Sequence, residues 1–123
     1  MKKKVLIVDD DISHLKSMEI FLQYENYQVL SATNYHQSIE LALQYLPDII
    51  ISDLNLGRCQ FNGIDILKLI KKDNLTKNIP FIIITGNSSI ESEKNAIELG
   101  VSKYIMKPVD LDKLVQSVKL LLI

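Results

Sequence analysis

Three stretches of unbroken aliphatic or aromatic residues constrain this chain most: Val5-Leu6-Ile7-Val8, Ile49-Ile50-Ile51 and Phe81-Ile82-Ile83-Ile84. A strand with one wet face alternates apolar and polar residues. A run that is apolar at every position is expected where both faces of a sheet are covered, as in parallel sheets packed between helices. Two weaker runs join them, Tyr27 to Leu30 and Lys103 to Met106, the latter just after Gly100. Between the runs, apolar residues recur at helical spacing. Ile12, Leu15, Ile20 and Leu22, with the Lys16 stem and Glu19 on the same segment, mark the first helix, and Ile39, Ala42, Leu43 and Leu46 the second. Ile64, Leu67 and Ile70 to Lys71 mark the third, Ile90, Ala96, Ile97 and Leu99 the fourth, and Leu111, Leu114, Val115 and Val118 the fifth.

Helix start signals agree with that division. Asn34 with Gln37, Asn62 with Asp65, and Ser88 with Glu91 each set a small polar residue three positions before a side chain able to reach back. Asp110 opens the last helix behind Pro108, and Gly100 closes the fourth, where a left-handed residue costs least. Strand and helix therefore alternate five times with short connections. This predicts an α/β fold, a (βα)5 doubly wound parallel five-stranded sheet with helices on both faces. No internal repeat or linker interrupts residues 1–123, which are expected to form one domain.

Composition narrows the function classes. The 14 Lys and Arg nearly balance the 15 Asp and Glu, a formal charge of −1, so the basic excess expected of a nucleic-acid binder is missing. The single Cys, Cys59, can form no intrachain disulfide. After Met-Lys-Lys-Lys no apolar stretch approaches the roughly 18 residues of a membrane span, and no signal-peptide pattern follows. A cytoplasmic chain with no direct nucleic-acid or membrane partner is the expectation. Whether it works alone or with a further C-terminal output domain is left open.

In a doubly wound sheet, ligands bind beyond the carboxyl ends of the strands. The first strand is followed by Asp9, Asp10 and Asp11, the third by Ser52 and Asp53, the fourth by Thr85 and Gly86, and the fifth by Lys107 and Pro108. Each alone is bland: Asp caps helices and Lys is usually solvated. Together they bring several carboxylates, a hydroxyl and an ammonium to one rim. Crowded carboxylates raise one another's pKa unless a cation sits among them, and a hard divalent ion such as Mg²⁺ fits an all-oxygen set. His14 and His36 are expected to lie in helices away from this rim, so a zinc site is not supported. A carboxylate beside Mg²⁺, with a Lys and a hydroxyl to meet the transferred oxygens, describes phosphoryl transfer to Asp.

Here the blocks Val5-Leu6-Ile7-Val8-Asp9-Asp10-Asp11, Ile50-Ile51-Ser52-Asp53, Ile83-Ile84-Thr85-Gly86 and Tyr104-Ile105-Met106-Lys107-Pro108 resemble the receiver (CheY-like) domain of two-component response regulators. The resemblance covers the whole chain and implies a flavodoxin-like strand order, 2-1-3-4-5. It implies Asp53 as phosphoacceptor, with Asp9, Asp10, Asp53 and the backbone carbonyl of Asn55 holding Mg²⁺, Asp10 directly and Asp9 through water. Thr85 and Lys107 would contact the phosphoryl group. Thr85 and Tyr104 would form the switch that reshapes the face of the fourth helix, fifth strand and fifth helix. Asp11 would cap the first helix. The implied partner is a histidine kinase or histidine phosphotransfer protein docking mainly on the first helix, and no independent enzymatic turnover is implied.

Some positions depart from the family pattern. Gly57-Arg58-Cys59-Gln60-Phe61-Asn62-Gly63 replaces a Pro-containing loop and is about two residues longer, with Asn62-Gly63 keeping residues that tolerate positive φ. Gly86 stands where Ala is common, and Asn55 and Asn87 flank the path of an attacking water. Ser102-Lys103 stands where an acidic pair would make dimer salt bridges, so a monomer or a weak phosphorylation-dependent dimer is expected. Three alternatives compete: a receiver-like interaction module regulated without phosphorylation, an aspartyl-phosphate hydrolase, and a flavodoxin-like cofactor binder. The hydrolase would want a second Asp where Asn55 stands. The cofactor binder would want a Gly- or Ser/Thr-rich phosphate loop where the acidic triplet stands.

Overall fold

A computed structural model describes residues 2–123 except Cys59, Asn87 and Ser88. The Cys59 thiol, the Asn87 position and the cap expected at Ser88 thus lie outside the described residues. Strands and helices alternate as β1 (Lys4–Val8), α1 (Ile12–Tyr24), β2 (Gln28–Ala32), α2 (Tyr35–Tyr45), β3 (Ile49–Asp53), α3 (Gly63–Lys72), β4 (Phe81–Thr85), α4 (Ile90–Glu98), β5 (Lys103–Met106) and α5 (Leu111–Leu121). All pairings are parallel and the order is β2-β1-β3-β4-β5, the doubly wound arrangement expected from the sequence.

The aliphatic runs are apolar throughout because each feeds two cores. Val5 and Ile7 of β1, Ile49 and Ile51 of β3, and Ile82 and Ile84 of β4 pack with Leu15, Met18 and Leu22 of α1 and Leu114, Val115 and Val118 of α5. Leu6, Val8, Ile50, Phe81 and Ile83 turn the other way, onto Ala42 of α2, Ile66, Leu67 and Ile70 of α3, and Ala96 of α4. With side chains alternating along each strand, both faces are covered. Each fully buried Leu, Ile or Val contributes roughly 1.5–3 kcal/mol relative to exposure.

Three details differ from the sequence expectation. β2 begins one residue later than the run at Tyr27, since Asn26 adopts φ 74° and the Tyr27 N–H donates to the Leu22 carbonyl, still part of the exit from α1. The buried stripe of α1 is Leu15, Met18 and Leu22, while Ile12 and Ile20 face outward; in α4 only Ala96 is buried and Ile90 and Ile97 are exposed. A helix with two apolar stripes gives no local sign of which one meets the sheet. Finally, α4 is capped by Ser89, whose side chain accepts from the Ser92 N–H.

The other caps stand where the sequence puts them. Asn34 accepts from the Gln37 N–H at 2.9 Å, and Asp110 from the Lys113 N–H at 3.2 Å. Asn62 and Asp65 form a full capping box, the Asp65 carboxylate accepting from the Asn62 N–H at 2.8 Å. Asn62 has φ −114° and Gly63 is not among the residues with positive φ, so this pair is a helix start and not a left-handed turn.

Candidate functional site

The switch in strand order between β1 and β3 brings Asp9 and Asp10, just past β1, beside Asp53 at the end of β3. One carboxylate oxygen from each of the three lies within 4.8 Å of the others. Asp9 is wholly buried and Asp53 is 6 % exposed, while Asp10 is open to solvent. Asp10, Asp11, Asp53, Asn55, Gly57, Gly86 and Lys107 line an open cleft of about 480 Å³.

The expectation that His14 lies away from this rim is wrong. Its ring Nδ1 meets Oδ2 of Asp9, with the side chain about a quarter exposed. The other oxygen, Oδ1, accepts from the Asp11 N–H at 2.9 Å. The reason is local. Asp11 is the N-cap of α1 and its side chain accepts from the His14 N–H, which makes His14 the third helical residue. A side chain at that position reaches back over the helix start, as a capping-box Glu does. The spacing from Asp9 to His14 was a readable signal. His36, in contrast, is exposed in the first turn of α2, with its ring edge-on to Tyr35 and Phe61.

Asp53 and Lys107 meet directly, Nζ donating to Oδ2 at 2.8 Å. Lys107 is set there by the end of the sheet: its backbone N–H donates to the Thr85 carbonyl at 2.8 Å, continuing the β4–β5 ladder past Met106. Burial pushes the Asp53 pKa up, and the nearby Asp9 charge adds to that. The Lys107 hydrogen bond and charge and the backbone N–H of Asn55 pull it down without cancelling the rise. For Lys107, burial works downward, but the hydrogen bond it donates to Asp53 and the charges of Asp53, Asp9 and Asp11 outweigh it and leave its pKa raised. Lys107 is thus firmly cationic, and Asp53 is a carboxylate under electrostatic stress. A group bringing positive charge to the cleft would relieve it.

Thr85 is fully buried at the end of β4, one residue past Ile84, which pairs with Asp53. Asn55 lines the cleft two residues beyond Asp53. Tyr104 does not reach the cleft. It lies on β5 against the core of the α2–α4 side, and its hydroxyl is shielded from solvent with no hydrogen-bond partner among the described residues.

The long β3–α3 connection is tied at both ends. Gly57, at φ +66°, sits so close to Asp10 that a Cβ there would lie 2.7 Å from Oδ2. At the far end the Phe61 ring stacks on Tyr35 of α2, with centroids 4.5 Å apart. Nothing in the local pattern announced that contact, because it joins two segments far apart in the chain.

Comparison with known proteins agrees with this geometry. The family model described as the response regulator receiver domain matches residues 5–119. The transcriptional regulatory protein ZraR of Klebsiella oxytoca is 36% identical over 110 residues, which are 89% of this chain and 24% of that protein. The chain thus spans about a quarter of the length of that relative. The polar-differentiation response regulator DivK of Brucella anthropi is 26% identical over 119 residues, 97% of this chain and 95% of the relative. A crystal structure of a CheY-like response regulator receiver domain protein from Methanospirillum hungatei superposes with a TM-score of 0.93 at 29% identity, covering 99% of this chain and 94% of that one. By strand order, by the acidic rim facing Lys107, and by a family match that runs from β1 into α5, the chain belongs to the receiver domains of two-component response regulators.

Proposed function

We propose that residues 1–123 act as one phosphoacceptor unit, taking a phosphoryl group on Asp53 from a phosphohistidine of a kinase or phosphotransfer protein. The observation that carries this reading is the Lys107 ammonium 2.8 Å from a carboxylate that shares its cleft with two more. An oxygen of Asp53 attacks phosphorus as the bond from phosphorus to the donor imidazole nitrogen breaks. That nitrogen keeps the electron pair and later takes a proton from water. Lys107 hands its hydrogen bond from Asp53 to a phosphoryl oxygen, so its charge follows the charge being transferred. The donor set fits Mg²⁺: oxygen ligands, few carboxylates and an open cleft with space for waters and phosphate oxygens. Asp9, Asp10, Asp53 and the Asn55 carbonyl would hold the ion, which supplies positive charge against the phosphoryl oxygens. The chain receives a group and releases it; it does not turn over an external substrate.

Incubation with acetyl phosphate should add one phosphoryl group, seen as a mass increase, only when Mg²⁺ is present. Labelling that is indifferent to chelation of divalent ions would sink the metal assignment.

Phosphorylation would add charge and acceptor oxygens at Asp53, and Thr85 and Lys107 would answer it. Tyr104 serves as the second part of the switch because its inward position is not free of cost. A buried hydroxyl with no partner among the described residues costs about 1–3 kcal/mol, so a ring given an alternative outside the core would be poised between two places. Tyr104→Phe should therefore raise the urea midpoint, by about 1 kcal/mol in stability. A loss of stability of that size would show that the hydroxyl is satisfied.

The outward face of α1, carrying the exposed Ile12 and Ile20, is the proposed docking surface for the phosphodonor. No helix among the described residues is long and apolar enough to cross a membrane, and a cytoplasmic site of action is proposed. The unit is proposed to be a monomer, or a weak dimer once phosphorylated, with no direct hold on nucleic acid.

A further inference from the structure

We propose that His14 is a positioning residue for the cation site: it fixes the buried Asp9 carboxylate and thereby sets the affinity for Mg²⁺. This rests on the reading that Asp9 belongs to that site. The first turn of α1 engages both Asp9 oxygens, Oδ1 through the Asp11 N–H at 2.9 Å and Oδ2 through the His14 Nδ1. A carboxylate only accepts, so Nδ1 carries the hydrogen. Each oxygen keeps further lone-pair capacity, so a carboxylate held in this way can still address a cation or its bound water. Without His14, Oδ2 of a wholly buried carboxylate would lose its side-chain partner beside Asp10 and Asp53. It would be free to rotate, with one buried oxygen short of a hydrogen-bond donor. Partners behind a ligating carboxylate commonly change metal affinity by about 10–100-fold.

Two substitutions separate positioning from packing. In His14→Leu an apolar carbon takes the place of Nδ1. In His14→Asn the side-chain amide nitrogen is bonded to Cγ as Nδ1 is in His, and can donate to Oδ2 from nearly the same point. Mg²⁺ dissociation constants would be measured on the whole chain by amide shifts, with thermal unfolding recorded without metal. We expect His14→Leu to bind Mg²⁺ about tenfold more weakly or worse. His14→Asn should fall closer to the wild type than to the leucine variant. Equal or tighter binding by His14→Leu, even with a lowered unfolding midpoint, would overturn the inference and leave His14 a packing residue. If the wild-type chain shows no saturable Mg²⁺ binding, the cation site falls, and this inference with it.

Discussion

Asp53→Asn takes up no phosphoryl group from acetyl phosphate in Mg²⁺, and at neutral pH it unfolds at a higher temperature than the wild type. The first half follows from chemistry. An amide oxygen is a poor nucleophile and carries no charge for the ion or for Lys107 to steer, although it can still accept the Lys107 hydrogen bond and keep the side chain in place. The second half follows from burial. Asp53 has its pKa raised first by burial and then by Asp9, against the pull of Lys107. A folded-state pKa above the unfolded one means that the native state binds that proton more tightly. Ionised Asp53 therefore destabilises the fold at neutral pH, and the cost fades as pH falls through the raised value toward the ordinary 3.8. The thermal gain of Asp53→Asn should be present at pH 7 and shrink on acidification into that window. Continued stoichiometric labelling of the variant would move the acceptor to Asp9 or Asp10. Absence of any gain in midpoint would mean that the Lys107 contact outweighs burial after all.

Most of the frame was legible because parallel strands and capped helices leave local marks. The runs at Val5, Ile49 and Phe81 are apolar at each position, as a short strand covered on both sides is, and the capped helical segments between them settle the choice against buried helix. The rim was legible by topology, since a doubly wound sheet puts whatever follows its strands on one edge. What stayed hidden depends on which way a helix turns or on what meets across the chain. Ile12, Ile20, Ile90 and Ile97 obey helical spacing yet point outward, because α1 and α4 carry apolar residues on more than one side. The Tyr35–Phe61 stack joins α2 to a loop, and no periodicity reports such a meeting. His14 is different: the cap at Asp11 fixed where its side chain could reach, and only treating it as one more helical residue concealed its link to Asp9.

Gly63→Ala should cost about 2 kcal/mol, on the order of 8 °C in midpoint, although it puts a better helix former into the first turn of α3. In an open helix the exchange would gain, through propensity and a less flexible unfolded chain, about 0.4–1 kcal/mol. Here a Cβ would stand 2.5 Å from the carbonyl oxygen of Asp53 and 3.1 Å from the Leu54 Cα, while the Gly63 N–H donates to the Leu54 carbonyl at 2.8 Å. These neighbours are backbone, so no rotamer change relieves the clash. Either α3 retreats and strains that hydrogen bond, or the end of β3 shifts. The second response moves the Asp53 carboxylate relative to Lys107, so labelling by acetyl phosphate should slow even though every proposed site side chain is intact. Gly86→Ala is the matching control, because among the described residues its Cβ would meet the Lys107 side chain at 3.5 Å (Cδ) and 3.8 Å (Cβ), ordinary contacts. Its stability should stay close to wild type. If the two alanine variants unfold alike, the approach of α3 to the end of β3 is softer than its geometry implies, and the glycine at position 63 serves only to start the helix.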